Sequence, residues 1–226
     1  MSKTYTAAEN DLIIQEGHKI RTSGRKSDLT WAPKSITLNG EFHSIYPNNS
    51  TFNADITVGP KAAWKIGSEV STVNGSGKVL LGKNKLTIQH ASSSSKGALN
   101  FGLNVVSKGG TIKLAYLSDS LQYIYFSNLT PEFQGTIDAN NANDCIIRFA
   151  KGNGSSGARV VLGRESNEKK VKLDLNTQFA VARLKIDSQE IPKGAYTYKD
   201  LVAINKDFAD NLIDNRGKVY VGQKVK

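Results

Sequence analysis

A chain of 226 residues and 24.5 kDa has the size of one domain, and with 38% hydrophobic and 8% aromatic residues it suits a narrow interior of small and β-branched side chains better than a thick aromatic core. Lys and Arg number 30 against 20 Asp and Glu, giving a formal charge of +10 and a pI near 9.6, which concentrates anions at the surface. No five basic residues are consecutive and the aromatics are not interleaved with basic ones, which sets nucleic acid aside, and no segment approaches membrane-spanning length.

In chain order, Asp11-Leu-Ile-Ile-Gln15, Gly17-His-Lys-Ile-Arg21 and Ser35-Ile-Thr-Leu-Asn-Gly40 read as strands separated by turns, with Asn39-Gly40 a strong turn signal. From about Phe52 to Phe179 one pattern repeats: a short alternating apolar and polar run, closed by Gly or Asn, then another. The runs are Thr51 to Val58, Lys78 to Leu81, Lys85 to Gln89, Gly110 to Leu114, Gly135 to Asp138, Arg159 to Leu162 and Val171 to Leu175. Such spacing predicts an all-β solenoid, in which each coil buries its apolar side chains by stacking on the next. Pro47 to Thr51 reads as a loop, and Trp64 in Ala63-Trp-Lys-Ile66 as a ring packed over the end of a coil. Asn74-Gly-Ser-Gly77 reads as a corner and Ser92 to Gly97 as a protruding polar loop. In Leu121-Gln-Tyr-Ile-Tyr-Phe126, the most aromatic stretch, alternation leaves one face exposed or covered by a loop. Residues 184–226 change character. Thr197-Tyr-Lys-Asp200 resembles a capping box, Leu201, Ile204 and Phe208 follow at helical spacing, and Lys218 to Gly222 reads as a strand. The chain thus divides into coils over 1–183 and a terminal cap with a short helix over 184–226, because an open end would leave strand edges unpaired.

Little in the chain signals catalysis. Gly152-Asn-Gly-Ser-Ser-Gly157 spells a dinucleotide fingerprint, but Ala158-Arg-Val-Val-Leu162 is a strand pattern where a helix N-terminus is needed, so it reads as a glycine-rich turn. His18, His43 and His90 have no partner at metal-ligand spacing, Cys145 sits alone in the apolar strand pattern Cys145 to Phe149, and no cofactor is expected. Asp138 and Asp144 flank a loop, with Glu132 nearby, and a pair of carboxylates could cleave a glycosidic bond. A lyase would instead use basic residues such as Arg148, Lys151, Arg159 and Arg164, which fall on consecutive predicted strands. The sequons at Asn49, Asn74, Asn128 and Asn153 mark loops. The binding candidates are Arg148, Lys151, Arg159 and Arg164 with Tyr123 and Tyr125; no metal site is expected.

Three segments carry a resemblance. Thr51-Phe-Asn-Ala-Asp-Ile-Thr-Val-Gly59, the unit Gly75 to Ile88, and the closing stretch Leu184 to Leu201 with Gly217-Lys-Val-Tyr-Val-Gly222 resemble autotransporter-type β-helical passenger repeats and related bacterial extracellular β-helix repeat proteins. The resemblance implies a right-handed parallel β-helix, exported and bacterial, serving as a non-catalytic adhesin or surface scaffold that contacts polysaccharide or cell-surface glycan. The alternative it leaves is a polysaccharide lyase or hydrolase of β-helix type, or the β-helical part of one. The chain itself opens Met1-Ser-Lys-Thr-Tyr5 without an apolar export segment, so the expectation is either a cytosolic protein or an excised mature segment.

Overall fold

An alternating run can bury one face only, and in this chain the buried faces meet across coils. The computed structural model describes residues 3–5, 9–21, 28–44, 49–67, 70–90, 97–116, 122–140, 142, 145–163 and 171–226. Its strands pair almost entirely in parallel, and the chain is a β-solenoid. The first sheet stacks nine strands: Lys3–Tyr5, Leu29–Trp31, Asn49–Phe52, Val70–Asn74, Ala98–Phe101, Gln122–Phe126, Cys145–Phe149, Lys172–Leu175 and Leu212–Asp214. A second sheet of thirteen strands gives each coil its other walls, and in one coil two of those walls fuse into the single strand Asn104–Tyr116. Parallel register partners lie 20 residues apart at the closest, Ile36 with Ile56, and 28 apart for Val70 with Ala98.

Corners carry the turn chemistry. The backbone N–H groups of Asn39 and Gly40 both donate to the carbonyl of Ile14 on the preceding coil, at 2.8 and 3.0 Å, so this pair turns one coil wall into the next and makes no hairpin. Asn53 to Asp55 likewise forms a corner that splits the expected run into Asn49–Phe52 and Ile56–Val58, and the expected loop before Thr51 is already strand from Asn49. Within 152–157, Gly154 and Gly157 lie flat on the coil beneath: a Cβ on Gly154 would come within 2.2 Å of the Leu129 carbonyl oxygen, and one on Gly157 within 2.4 Å of that of Phe133. The strand Arg159–Leu162 follows, so the fingerprint-like run is a close-packed corner with no phosphate-binding helix.

The interior holds more than small side chains. Trp31, Phe52, Trp64, Phe101, Phe126, Phe149 and Phe179 form a continuous aromatic file along the solenoid, with successive centroids 4.9 to 6.1 Å apart. Trp64 sits inside this file, 1% exposed, and not over a coil end as expected. Period-two alternation places a residue inside or outside but says nothing of its height along the axis.

The segment 187–211, between Arg183–Ile186 of the second sheet and Leu212–Asp214 of the first, holds the cap; after it the chain re-enters the first sheet, where Leu173 pairs with Leu212. Within it Thr197 caps the helix Tyr198–Ile204 in a reciprocal box with Asp200, whose carboxyl is held below its usual range chiefly by the Thr197 backbone N–H. Leu201 and Phe208 are fully buried in the core, while Ile204 is 38% exposed and takes no part in the plug. Phe208 belongs to the 3-10 helix Lys206–Asn211, which turns it away from the face extrapolated from a continuous α-helix. The ladder also runs past the expected boundary at 184, since Arg183–Ile186 pairs with Arg159–Leu162. A small third sheet, Gln178–Val181, Lys218–Val221 and Gly194–Tyr196, fastens the cap.

Phe208→Ala is expected to cost about 3–5 kcal/mol in denaturant unfolding, and Ile204→Ala under about 1 kcal/mol. A chain ending before Leu184 should aggregate or lose its cooperative melt; a monomeric truncation with the parent's melting temperature would show that the plug is dispensable.

Candidate functional site

The outer face of the first sheet collects three of the residues singled out above. In the strand Gln122–Phe126, Ile124 and Phe126 point into the core, which turns Tyr123 and Tyr125 outward and leaves them half-buried. Tyr125 is in register with Arg148 one coil on, and Tyr123 with Ile146. Ile146 in turn pairs with Lys172, so Lys172 stands on the same face one coil beyond.

Arg148 is held in place from two sides. Its Nε donates to Asp174 Oδ2 at 2.5 Å, and its guanidinium carbon lies 4.6 Å from the centroid of the Tyr123 ring. Asp174 is completely buried, and Asn215 Nδ2 donates to its other oxygen at 2.6 Å. A buried carboxylate needs such partners, since burial without them costs several kcal/mol. Among the described residues nothing engages the two terminal nitrogens of Arg148, whose side chain stays 38% exposed. The result is a forked guanidinium fixed in orientation against the Tyr123 ring, with Tyr125 and Lys172 on the same face. Such a fork matches the two oxygens of a carboxylate or phosphate.

The remaining candidates lie elsewhere. Lys151 is exposed in a bend after Cys145–Phe149 and not on a strand as expected. Arg159 stands on the second sheet, bound to Glu190 at 2.6 Å. Arg164 and Asp144 fall outside the described residues. Asp138 accepts from the Asn140 backbone N–H at 3.0 Å, and Glu132 from Asn104 Nδ2 at 3.4 Å, at opposite ends of the strand Phe133–Ala139; each has a local structural partner. Asn49, expected in a loop, begins a strand, and its side chain donates to Asp28. Cys145 is buried, and desolvation pushes its thiol up to about 12, which makes it inert.

Sequence reasoning missed a charge cluster on the second sheet. Glu41 accepts from His43 Nε2 at 2.7 Å and pairs with Lys19 at 3.3 Å and Lys65 at 3.4 Å. The hydrogen bond from His43, then that from Lys19 and the charge of Lys65, hold its carboxyl down at about 2. Register rather than spacing brings these together, since Lys19 pairs with Glu41 and His43 with Lys65. No group of three or more His, Cys, Asp or Glu among the described residues could hold a metal ion, and none of the described helices is long and apolar enough to cross a membrane. Comparison with protein-family models, curated proteins and solved structures finds no match to this chain.

Two measurements follow from the geometry. Because the Glu41 carboxyl is depressed from 4.5 to about 2, its contribution to stability is fully present above pH 4.5 and is lost as the pH falls toward 2. Glu41→Gln should therefore lower the urea midpoint at pH 7 by the equivalent of at most about 1 kcal/mol, given the cluster's exposure, and the gap to the parent should narrow steadily below pH 4.5 and close only once the pH falls below about 2. Arg148→Ala strands the buried Asp174 carboxylate and should cost about 3 kcal/mol, most of which Arg148→Ala with Asp174→Asn should restore.

Proposed function

We propose that this protein is a non-catalytic, secreted or surface-exposed β-solenoid of adhesin or scaffold type that binds acidic glycans of a cell envelope. The observation carrying this reading is Arg148: anchored through Nε on a buried carboxylate, backed by the Tyr123 ring, and unengaged at its terminal nitrogens. Orientation of a fork before a ligand arrives lowers the entropic cost of binding it. Tyr125 and Lys172 on the same face supply a sugar-stacking edge with a hydroxyl and a second cation. The solenoid scaffold suits such a role because it holds outward residues of successive coils at a fixed spacing, about 4.8 Å. The basic excess of +10 adds a long-range attraction for anionic surfaces.

A glycan array including sialylated, uronate-containing and neutral oligosaccharides tests the proposal. Acidic oligosaccharides should bind and neutral ones should not. Arg148→Lys, which keeps the charge and loses the fork, should weaken binding at least about tenfold, and Lys172→Ala about threefold. Absence of any acidic-glycan signal, or full affinity in Arg148→Lys and Lys172→Ala together, would dismiss the site. Release of unsaturated or reducing ends from pectic, alginate or glycosaminoglycan substrates would replace the binding role with an enzymatic one.

A further inference from the structure

Neutral and charged side chains divide between the two sheets. The five first-sheet strands from Leu29–Trp31 to Gln122–Phe126 contain no Asp, Glu, Lys, Arg or His, although 22% of the chain is charged. Over the same coils the second sheet carries Glu41, Lys65, Lys78, Lys85 and Lys113. Charge returns to the first sheet on its later coils, with Arg148, Lys172 and Asp174.

Two register columns of outward residues lead up to Arg148. Thr72, Asn100 and Tyr125 precede it in its own column, each one coil from the next. Val70, Ala98 and Tyr123 stand beside them, two residues away along each strand. The first column offers hydrogen bonds. The Thr72 hydroxyl and the Tyr125 phenol have no hydrogen-bond partner among the described residues, and Asn100, whose Oδ1 accepts from Ser127 Oγ at 2.7 Å, keeps its amide nitrogen for a ligand. The second column offers apolar surface, with Val70 54% exposed and Ala98 and Tyr123 half-buried. A pyranose has the same division, with hydroxyls around its edge and C–H groups on its faces, and ligand sites pair apolar or aromatic surface with a few placed polar groups. The coil spacing of about 4.8 Å puts Thr72 about 10 Å from Tyr125, an extent that suits a disaccharide.

On the far side of Arg148 this strip closes. One coil past it stands Asp174, completely buried with both oxygens engaged, and the sheet ends one strand later at Leu212–Asp214. The cations of this face are gathered at that end, so one acidic sugar can be met there and a row of them cannot.

We infer, resting on the reading of Arg148 proposed above, that the ligand is an oligosaccharide with a single acidic sugar at its end. Its carboxylate lies on Arg148 and Lys172, and its neutral sugars run back across Tyr125, Asn100 and Thr72 with their apolar faces toward Tyr123, Ala98 and Val70. The uncharged strip selects against a polyuronate, because each further carboxylate would lose water with no cation opposite it. A free sugar acid fills the Arg148 end alone and forgoes the contacts of the strip.

Titration calorimetry of the full chain with N-acetylneuraminate, sialyllactose, trigalacturonate and lactose provides the test. Sialyllactose should bind at least about tenfold more tightly than either N-acetylneuraminate or trigalacturonate, and lactose should give no signal. Thr72→Ala and Asn100→Ala should each weaken sialyllactose binding about threefold, and the two together about tenfold. Asn100 also holds Ser127, whereas Thr72 has no internal partner, so the Thr72→Ala result is read without a change in folding. Equal affinity for sialyllactose and N-acetylneuraminate, both weakened by Arg148→Lys, would overturn this inference and leave the proposed function standing. Full sialyllactose affinity in the Thr72→Ala, Asn100→Ala double variant would do the same, as would tighter binding of trigalacturonate than of sialyllactose. Absence of binding by every acidic probe would remove both readings.

Discussion

The buried rings of the later coils each lean on a ring about one coil away in sequence. Phe101 meets Phe126, Phe126 meets Phe149 and Phe149 meets Phe179, and none of these rings is covered by its own coil alone. The centroid separations stay near 5 to 6 Å because the backbone ladder fixes the coil spacing, and a ring can tilt but not retreat. Stability is thereby a sum over neighbouring coils, and a change in one coil is felt mainly by the two beside it. Trp64 shows the strength of that constraint: its Nε1 is buried without an acceptor among the described residues, and the rings of Phe42, Phe52 and Phe101 pack around it nonetheless.

Strands and corners were legible in the sequence because their signals are local. Alternation marks Lys85–His90 and Arg159–Leu162, and Gly and Asn mark the turns between. Height along the axis is not local, which is why Trp64 was misplaced. The exposure of Ile204 has another cause: the α-helix stops at that residue, and the following 3-10 turn resets the direction of Phe208. The anchoring of Arg148 by Asp174 was hidden by a separation of 26 residues, yet that separation is itself one coil. A coil offset stepped along from Arg148 reaches Asp174, and stepped from Lys19 it reaches Glu41 and then Ala63, so the register of a solenoid converts distant charges into neighbours.

Charge is used in two ways on the same scaffold. Around Glu41 and at Asp174 a carboxylate draws cations inward and completes the structure, and the cost of holding long side chains is shared among several contacts. On the later coils of the second sheet Arg159 is paired with Glu190, while Lys85, Lys113, Arg183 and Lys185 at the same outward positions make no ion pair among the described residues. An identical backbone thus supports a self-satisfied end and an end whose charge faces outward, and the difference is made by single residues at fixed register positions.

The cap has an architectural consequence. It occupies 187–211 within the final turn, and the chain afterwards threads Leu212–Asp214 into the first sheet and Lys218–Val221 between Gln178–Val181 and Gly194–Tyr196. The plug is therefore stitched in on both sides and is not a loose lid at the chain terminus. Of these two strands, Lys218–Val221 is flanked on both edges, while Leu212–Asp214 ends the first sheet with one neighbour. Duplication of an internal coil, where each new turn inherits a neighbour above and below, therefore lengthens such a scaffold without disturbing the plug. Reach and multivalency of such a scaffold would be set in its middle, with the ending kept unchanged.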